Sequence, residues 1–147
     1  MGRMGSARLA LAATVLCAGA LHSAGGARGD AALAVGLPSD VAKQGLAMGW
    51  AFNYASKETA QAEALKRCRG FRDAPQSTRD LCKIVESFRD SCMAVALDPD
   101  YGTTGLGWGV HNNQEWAEDA AMERCMETSD QKRRSFCRVT VTRCDRR

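Results

Sequence analysis

A helix-end motif that contains a cysteine occurs twice in this chain, and the repetition constrains the fold more than any other feature. The stretch ALKRC, residues 64–68, returns as AMERC at residues 121–125. Segments on both sides match in the same order: DAALAVGL (30–37) with DSCMAVAL (90–97), GW (49–50) with GW (107–108), and CKIVESF (82–88) with CRVTVTR (137–143). The offset between matching segments falls steadily from 60 to 55, as small loop deletions would produce. The chain therefore reads as two copies of one structural unit, at about 30–89 and 90–144.

Each unit reads as strand, strand, helix, strand. Short apolar runs open the units, the repeated tryptophans lie in the second strands, and β-branched segments close them. Both helices carry an apolar stripe rich in alanine, and its members are Ala60, Ala64, Leu65 and Cys68 in one helix and Ala117, Ala121, Met122 and Cys125 in the other. We predict an α+β fold, a tandem ββαβ repeat of about six strands with two helices packed on one sheet face.

The N-terminal stretch, residues 1–27, has the pattern of a signal peptide that is removed after export. Arg3 and Arg8 precede an apolar run, residues 9–21, that is too short to span a bilayer. Small residues allow cleavage after Ala20, Ala27 or Ala34. Because residues 30–37 have a partner in the second unit, we favour cleavage at or just before Ala27. Residues 28–147 would then form a single domain.

Six cysteines remain once Cys17 is removed with the leader. An even number in an exported chain of this size predicts three disulfides and an oxidising compartment. A metal site is disfavoured, because residues 28–147 hold one histidine and no C-x-x-C pair. Matching positions should form matching bonds, which predicts Cys68–Cys82 and Cys125–Cys137. The remaining pair, Cys92–Cys144, is expected to join the two units.

The charge balance argues against polyanionic partners. The whole chain has a net charge of +3, but without Arg3 and Arg8 there are 18 basic and 17 acidic residues. Nucleic-acid binding normally requires a strongly basic face, so we expect no nucleic acid and no anionic membrane as main partner. We also expect no cofactor, and no stable membrane insertion after the leader is removed.

Four residues are candidates for contact with a ligand or partner. Asp98 and Asp100 form the closest carboxylate pair, although Asp-Pro-Asp followed by glycine is also ordinary turn chemistry. His111 is the only histidine that could serve as a base in residues 28–147, and nothing beside it in the sequence identifies a partner. Trp116 lies outside the alanine stripe of its helix, so an exposed ring there could anchor a partner. None of the four is assigned a catalytic role.

The ordered set of motifs resembles a bacterial family known as domain of unknown function 4189. The resemblance covers about residues 31–144 and rests on the paired Gly-Trp strands, the A-x-x-x-A-[LM]-x-R-C helices and the CKIV, CMAVAL and CRVTV segments. It implies an exported, disulfide-bonded α+β module. It carries across no catalytic residues, because none is established for the family.

These observations favour an exported module, periplasmic or secreted, that binds another protein or an envelope component without catalysis. Two alternatives stay open at this stage. One is a small envelope hydrolase that uses carboxylates near His111, which requires Asp98, Asp100 and His111 to meet in one cleft. The other is an enzyme inhibitor or immunity-type protein.

Overall fold

The computed structural model describes residues 29–145, so the predicted leader, residues 1–27, lies outside the described residues. The first half of this region contains β1 (Asp30–Gly36), α1 (Val41–Gln44), β2 (Ala47–Tyr54), α2 (Lys57–Arg69), α3 (Gln76–Arg79) and β3 (Lys83–Arg89). The second half contains β4 (Cys92–Leu97), β5 (Leu106–His111), α4 (Gln114–Thr128), a 3₁₀ turn (Arg134–Phe136) and β6 (Arg138–Cys144).

The six strands form two antiparallel sheets of three strands each. The order is β2-β1-β3 in the first sheet and β5-β4-β6 in the second, so the opening strand of each half is central. The predicted α+β class and the number of strands are confirmed. The prediction of one six-stranded sheet with both helices on the same face is wrong, because α2 packs on the first sheet and α4 on the second.

The central strands explain why there are two sheets. In β1, Ala32 and Ala34 point into a small-residue core beneath α2, while Leu33 and Val35 point into a core shared with the other sheet. Strand β4 alternates in the same way, and Met93 and Val95 enter the shared core. Both strands are thus buried on both faces: small side chains admit a helix, and large side chains hold the sheets together. The layers run helix, sheet, sheet, helix.

The shared core between the sheets contains most of the large apolar side chains. Its buried members are Leu33, Val35, Met48, Met93, Val95 and Leu106. Trp50 and Trp108 pack against this core while remaining partly exposed. The indole Nε1 of Trp108 also donates a hydrogen bond of 3.3 Å to Oε1 of Glu86, which links β5 to β3 across the two sheets.

The glycine before each repeated tryptophan lets a helix lie close to its sheet. A Cβ atom at Gly49 would collide with the backbone of Cys68 in α2, and one at Gly107 would collide with that of Cys125 in α4. A side chain at either position would push the helix away from the strand. The Gly-Trp motif therefore encodes helix packing on one face and inter-sheet packing on the other.

Three disulfides join the pairs that the sequence predicts. Two of them, Cys68–Cys82 and Cys125–Cys137, connect the last turns of α2 and α4 to the residue before the following strand. The third, Cys92–Cys144, connects residues that are directly opposite each other on β4 and β6. Both strands belong to the second sheet, so the expectation that this bond joins the two units is wrong. Cys92 is the first residue of β4, the central strand of the second sheet.

A salt bridge closes the corresponding end of the first sheet. Arg89 at the end of β3 donates from Nε and Nη2 to the two carboxylate oxygens of Asp30 on β1, at 3.0 and 2.6 Å. This bidentate pair and the Cys92–Cys144 bond each join a central strand to its closing strand. Covalent and ionic links thus serve matching places in the two halves.

Candidate functional site

The carboxylates of Asp98 and Asp100 share one arginine. Arg133 donates from Nε and Nη2 to both oxygens of Asp98, at 2.7 Å each, and from Nη2 to Asp100 at 2.5 Å. Its guanidinium also lies 4.1 Å from the ring centre of Phe136. The hydrogen bonds from Arg133 hold the pKa of Asp98 below its usual range, although burial of the carboxylate opposes them. A carboxylate held ionised in this way is a poor proton donor. The contacts of Arg133 with Asp98 and Asp100 instead connect the β4–β5 loop to the segment after α4.

His111 and Trp116 form an aromatic pair at the start of α4. Their ring centres are 4.7 Å apart at an interplanar angle of 88°, and Nδ1 of His111 lies 2.7 Å from Oδ1 of Asn112. Trp116 is 55% exposed. The structure therefore brings together two of the candidates, in a surface contact where His111 holds the indole in place.

The aspartate pair and the aromatic pair lie at opposite ends of the second sheet. His111 is opposite Cys92 in the β4–β5 ladder, whereas Leu106 is opposite Leu97, the residue before Asp98. Five residues of strand separate these ends, roughly 17 Å at the usual rise per residue. The single cleft that a hydrolase with Asp98, Asp100 and His111 requires is therefore not formed. Within residues 29–145, no group of three or more histidine, cysteine or acidic side chains is arranged to hold a metal ion.

Residues from both halves line a pair of grooves at the seam between the sheets. Leu37 and Trp108 line both grooves. The groove on the β3 side, of about 490 Å³, is completed by Val35, Lys83, Ile84 and Val85. The groove on the α1 side, of about 440 Å³, is completed by Pro38, Ser39, Asp40, Val41, Thr104, Leu106 and Thr128. We call these two together the seam groove.

Sequence reasoning missed the seam groove. The repeated Gly-Trp motif favours core packing over ligand stacking for Trp108, and Leu37, which follows the predicted opening strand, is not among the candidate residues. The structure shows Leu37 to be 45% exposed, just beyond β1. The available signal was a large apolar residue directly before Pro38 and Ser39, where a turn normally places polar side chains.

Side chains of the helices occupy two of the four sheet edges. On β2, Arg67 of α2 donates to the backbone oxygen of Trp50 at 2.7 Å. On β5, Arg124 of α4 donates to the backbone oxygen of Trp108 at 2.8 Å, and Thr128 bonds to the backbone of Leu106. These contacts hinder the addition of another strand.

The edge at β3 is different. This strand pairs only with β1 in its sheet, and no side chain in residues 29–145 hydrogen-bonds to the backbone of residues 83–85. Ile84 packs with the small-residue core beneath α2, whereas Val85 packs with the core between the sheets. Because both line the same groove, the groove lies along the free edge of the strand.

These features define a small disulfide-bonded α+β domain with two packed sheets and an apolar groove on its seam. A family model described as Domain of unknown function (DUF4189) matches residues 31–144, and the chain belongs to this family. No curated protein and no solved structure matches the chain. The three disulfides indicate an oxidising, extracytoplasmic environment. Within residues 29–145, none of the helices has the length and apolar character needed to cross a bilayer.

Proposed function

We propose that this protein is an exported, non-catalytic module that binds an extended segment of another protein along the edge of β3. In this proposal the leader, residues 1–27, is removed, and residues 28–147 act as one domain built from two copies of a ββαβ unit. The observation that carries the proposal is the coincidence of a free strand edge with an apolar groove beside it.

The free edge supplies the main-chain part of the interaction. A strand that pairs on one side only has unpaired amide and carbonyl groups on the other, and an added segment satisfies them. Arg67 and Arg124 hinder this mode of binding at β2 and β5. In the described part of the chain neither residues 83–85 of β3 nor residues 138–141 of β6 receive such a contact, and of these two edges only β3 lines the seam groove, which favours β3 as the place where a partner strand pairs.

The seam groove supplies selectivity for side chains. Alternate side chains of an added strand point to the same side, so one or two of them would enter the groove at Leu37 and Trp108. The groove is mainly apolar in its lining residues, and its volume is within the range of known binding sites. We therefore expect the bound segment to carry a large aliphatic or aromatic side chain.

The frame favours binding because little of it needs to become ordered. Val35 and Leu106 sit in the shared core, and Cys82, directly before β3, is bonded to Cys68 in α2. A groove whose walls are already fixed loses less conformational entropy when a partner binds.

The test is selection of peptides from a displayed random library with the oxidised domain, followed by measurement of Kd for the enriched peptides. We expect enriched sequences with one large apolar residue. The variant Leu37→Gln should weaken their binding about tenfold or more, because one buried leucine contributes about 1.5 kcal/mol or more. Hydrogen exchange should show added protection of amides in β3 when a peptide is bound.

Met126→Gln is the matched control. Met126 is an apolar residue of similar exposure, 38%, on α4, and it does not line the seam groove. This variant should bind the peptides as the unchanged protein does. The proposal is rejected if no peptide is enriched, if both variants lose affinity equally, or if protection appears at strands other than β3.

A further inference from the structure

A third groove lies between the edge of β2 and the C-terminal end of α2. It has a volume of about 510 Å³ and shares no lining residue with the seam groove. Its apolar lining residues are Met48, Trp50 and Phe71, and its basic residues are Lys66, Arg67 and Arg72. A groove with an apolar floor and a basic rim suits a ligand that is apolar at one end and negatively charged at the other.

The three basic side chains differ in what they already bind. Arg67 donates to Glu63 at 2.9 Å and to the backbone oxygen of Trp50 at 2.7 Å, so it is engaged by the protein itself. Lys66 is 79% exposed and lies 3.7 Å from Glu63, a weak contact for an exposed pair. Arg72 has no hydrogen bond or salt bridge to any residue in 29–145. Lys66 and Arg72 are therefore the cations available to a ligand.

The second half provides an internal comparison. The position that matches Arg67 is Arg124, which makes the same bond to the backbone of a tryptophan. Arg67 therefore has a structural role that both halves share. The position that matches Lys66 is Glu123, an acid. Basic residues at a helix C-terminus can serve the helix dipole, but α4 packs equally closely without any in its last turn. The packing of a helix on its sheet thus leaves Lys66 and Arg72 unexplained.

We propose that this groove binds a small anionic amphiphile. Its carboxylate is held between Lys66 and Arg72, and its apolar part lies on Met48, Trp50 and Phe71. Charge-assisted hydrogen bonds to lysine and arginine orient the headgroup. A peptide strand is disfavoured at this place, because Arg67 already takes the backbone oxygen of Trp50 on the edge of β2. The site is separate from β3, so it does not depend on the proposed protein partner.

The test compares three ligands of equal chain length: octanoate, 1-octanol and octylammonium. They are titrated into the oxidised protein while two-dimensional NMR follows the amides of residues 48–50 and 66–72. Octanoate should shift these signals at millimolar or lower concentration. The neutral and the cationic ligand should bind about tenfold more weakly or worse, because each lacks a charge-assisted bond to the basic rim.

Two variants and one control locate the charge effect. Lys66→Gln and Arg72→Gln should each weaken octanoate binding about tenfold and leave 1-octanol binding unchanged. Lys132→Gln removes the same charge from an exposed loop that does not line the groove, and it should have no effect. The inference is overturned if octanoate shifts no signal in these segments, if 1-octanol binds equally well, or if Arg72→Gln binds octanoate as tightly as the unchanged protein.

Discussion

Three arginines show how differently one residue type is used in this molecule. Arg67 and Arg124 occupy matching positions and donate to the backbone oxygens of matching tryptophans, at 2.7 and 2.8 Å. The basic residue in the repeated helix-end motif therefore connects a helix to the edge of its sheet. Arg133 follows α4 and holds the two carboxylates of the β4–β5 loop. What looked in the sequence like a possible catalytic pair is held in place by a side chain 33 residues further along.

Replacing Arg133 by methionine should destabilise the protein near neutral pH and should do so less in acid. The bonds from Arg133 lower the folded-state pKa of Asp98, so their stabilisation is fully present above the unfolded value of about 3.9. It is lost as the pH falls from there through the lower folded-state pKa. Urea denaturation between pH 7 and pH 2 should therefore show the two proteins approaching each other below about pH 4.

The comparison also separates Asp98 from other acids. Burial raises the pKa of Asp145, and a raised carboxyl pKa gives the opposite dependence of stability on pH. Asp145 is present in the unchanged protein and in Arg133→Met alike, so its effect cancels when their free energies of unfolding are subtracted. Arg134→Met replaces an exposed neighbouring arginine and keeps the contacts of Arg133 with Asp98 and Asp100, so it should leave the free energy of unfolding nearly unchanged. A difference between the unchanged protein and Arg133→Met that stays constant down to pH 2 would contradict the assignment.

At the level of elements, each half closes the open end of its sheet with its own chemistry. The first sheet uses the Asp30–Arg89 salt bridge and the second uses the Cys92–Cys144 bond. The other two disulfides both follow the helices and enclose short segments, with separations of 14 and 12 residues. The Cys92–Cys144 bond encloses a separation of 52 residues and spans almost the whole second half.

The Cys92–Cys144 bond should contribute most to stability among the three. In the chain-entropy model the long loop is worth about 4 kcal/mol, against about 3 kcal/mol for each short one. The double variant Cys92→Ala/Cys144→Ala should therefore lose about 1 kcal/mol more in urea denaturation than Cys68→Ala/Cys82→Ala. Hydrogen exchange should show the extra loss of protection in β4 and β6. An equal or smaller loss than in the Cys68/Cys82 variant would argue against this order.

For the whole molecule, the decisive contact is the one between the two sheets. Leu33 and Val35 from β1 meet Met93 and Val95 from β4 in the shared core, so within residues 29–145 each sheet covers this face of the other. Each half would expose a row of large apolar side chains if it stood alone. We therefore expect the two halves to unfold together.

The substitution Met93→Ala tests this cooperativity. Met93 is fully buried in the shared core, so its truncation should cost about 2–5 kcal/mol. Denaturation should remain a single transition, with amide protection falling in both sheets. Met126→Ala, at a half-exposed position on α4, should change stability by only about 0.5 kcal/mol or less. Two separate transitions, or a loss confined to the second sheet, would show that the halves fold independently.

Local patterns predicted the parts of this molecule that depend on neighbours along the chain. The alanine stripes identified the buried faces of α2 and α4, where Ala60, Ala64, Ala117 and Ala121 are fully buried. Apolar runs, the repeated tryptophans and β-branched segments identified all six strands. The seam groove escaped prediction, because Leu37 and Trp108 are far apart in the chain and meet only when the sheets pack.

The sequence by itself determined the two long helices α2 and α4, the strands, the disulfide pairs and the family, because each follows from local pattern or from the matching of two segments, whereas the short helices α1 and α3 were not predicted. Only the tertiary structure decided that the strands form two sheets, that Cys92–Cys144 stays within one half, and that Asp98 and His111 lie apart. A central strand such as β1 is apolar on both faces, and its residues are the same whether the second face meets a helix or another sheet. That choice depends on which distant surface is available to cover it.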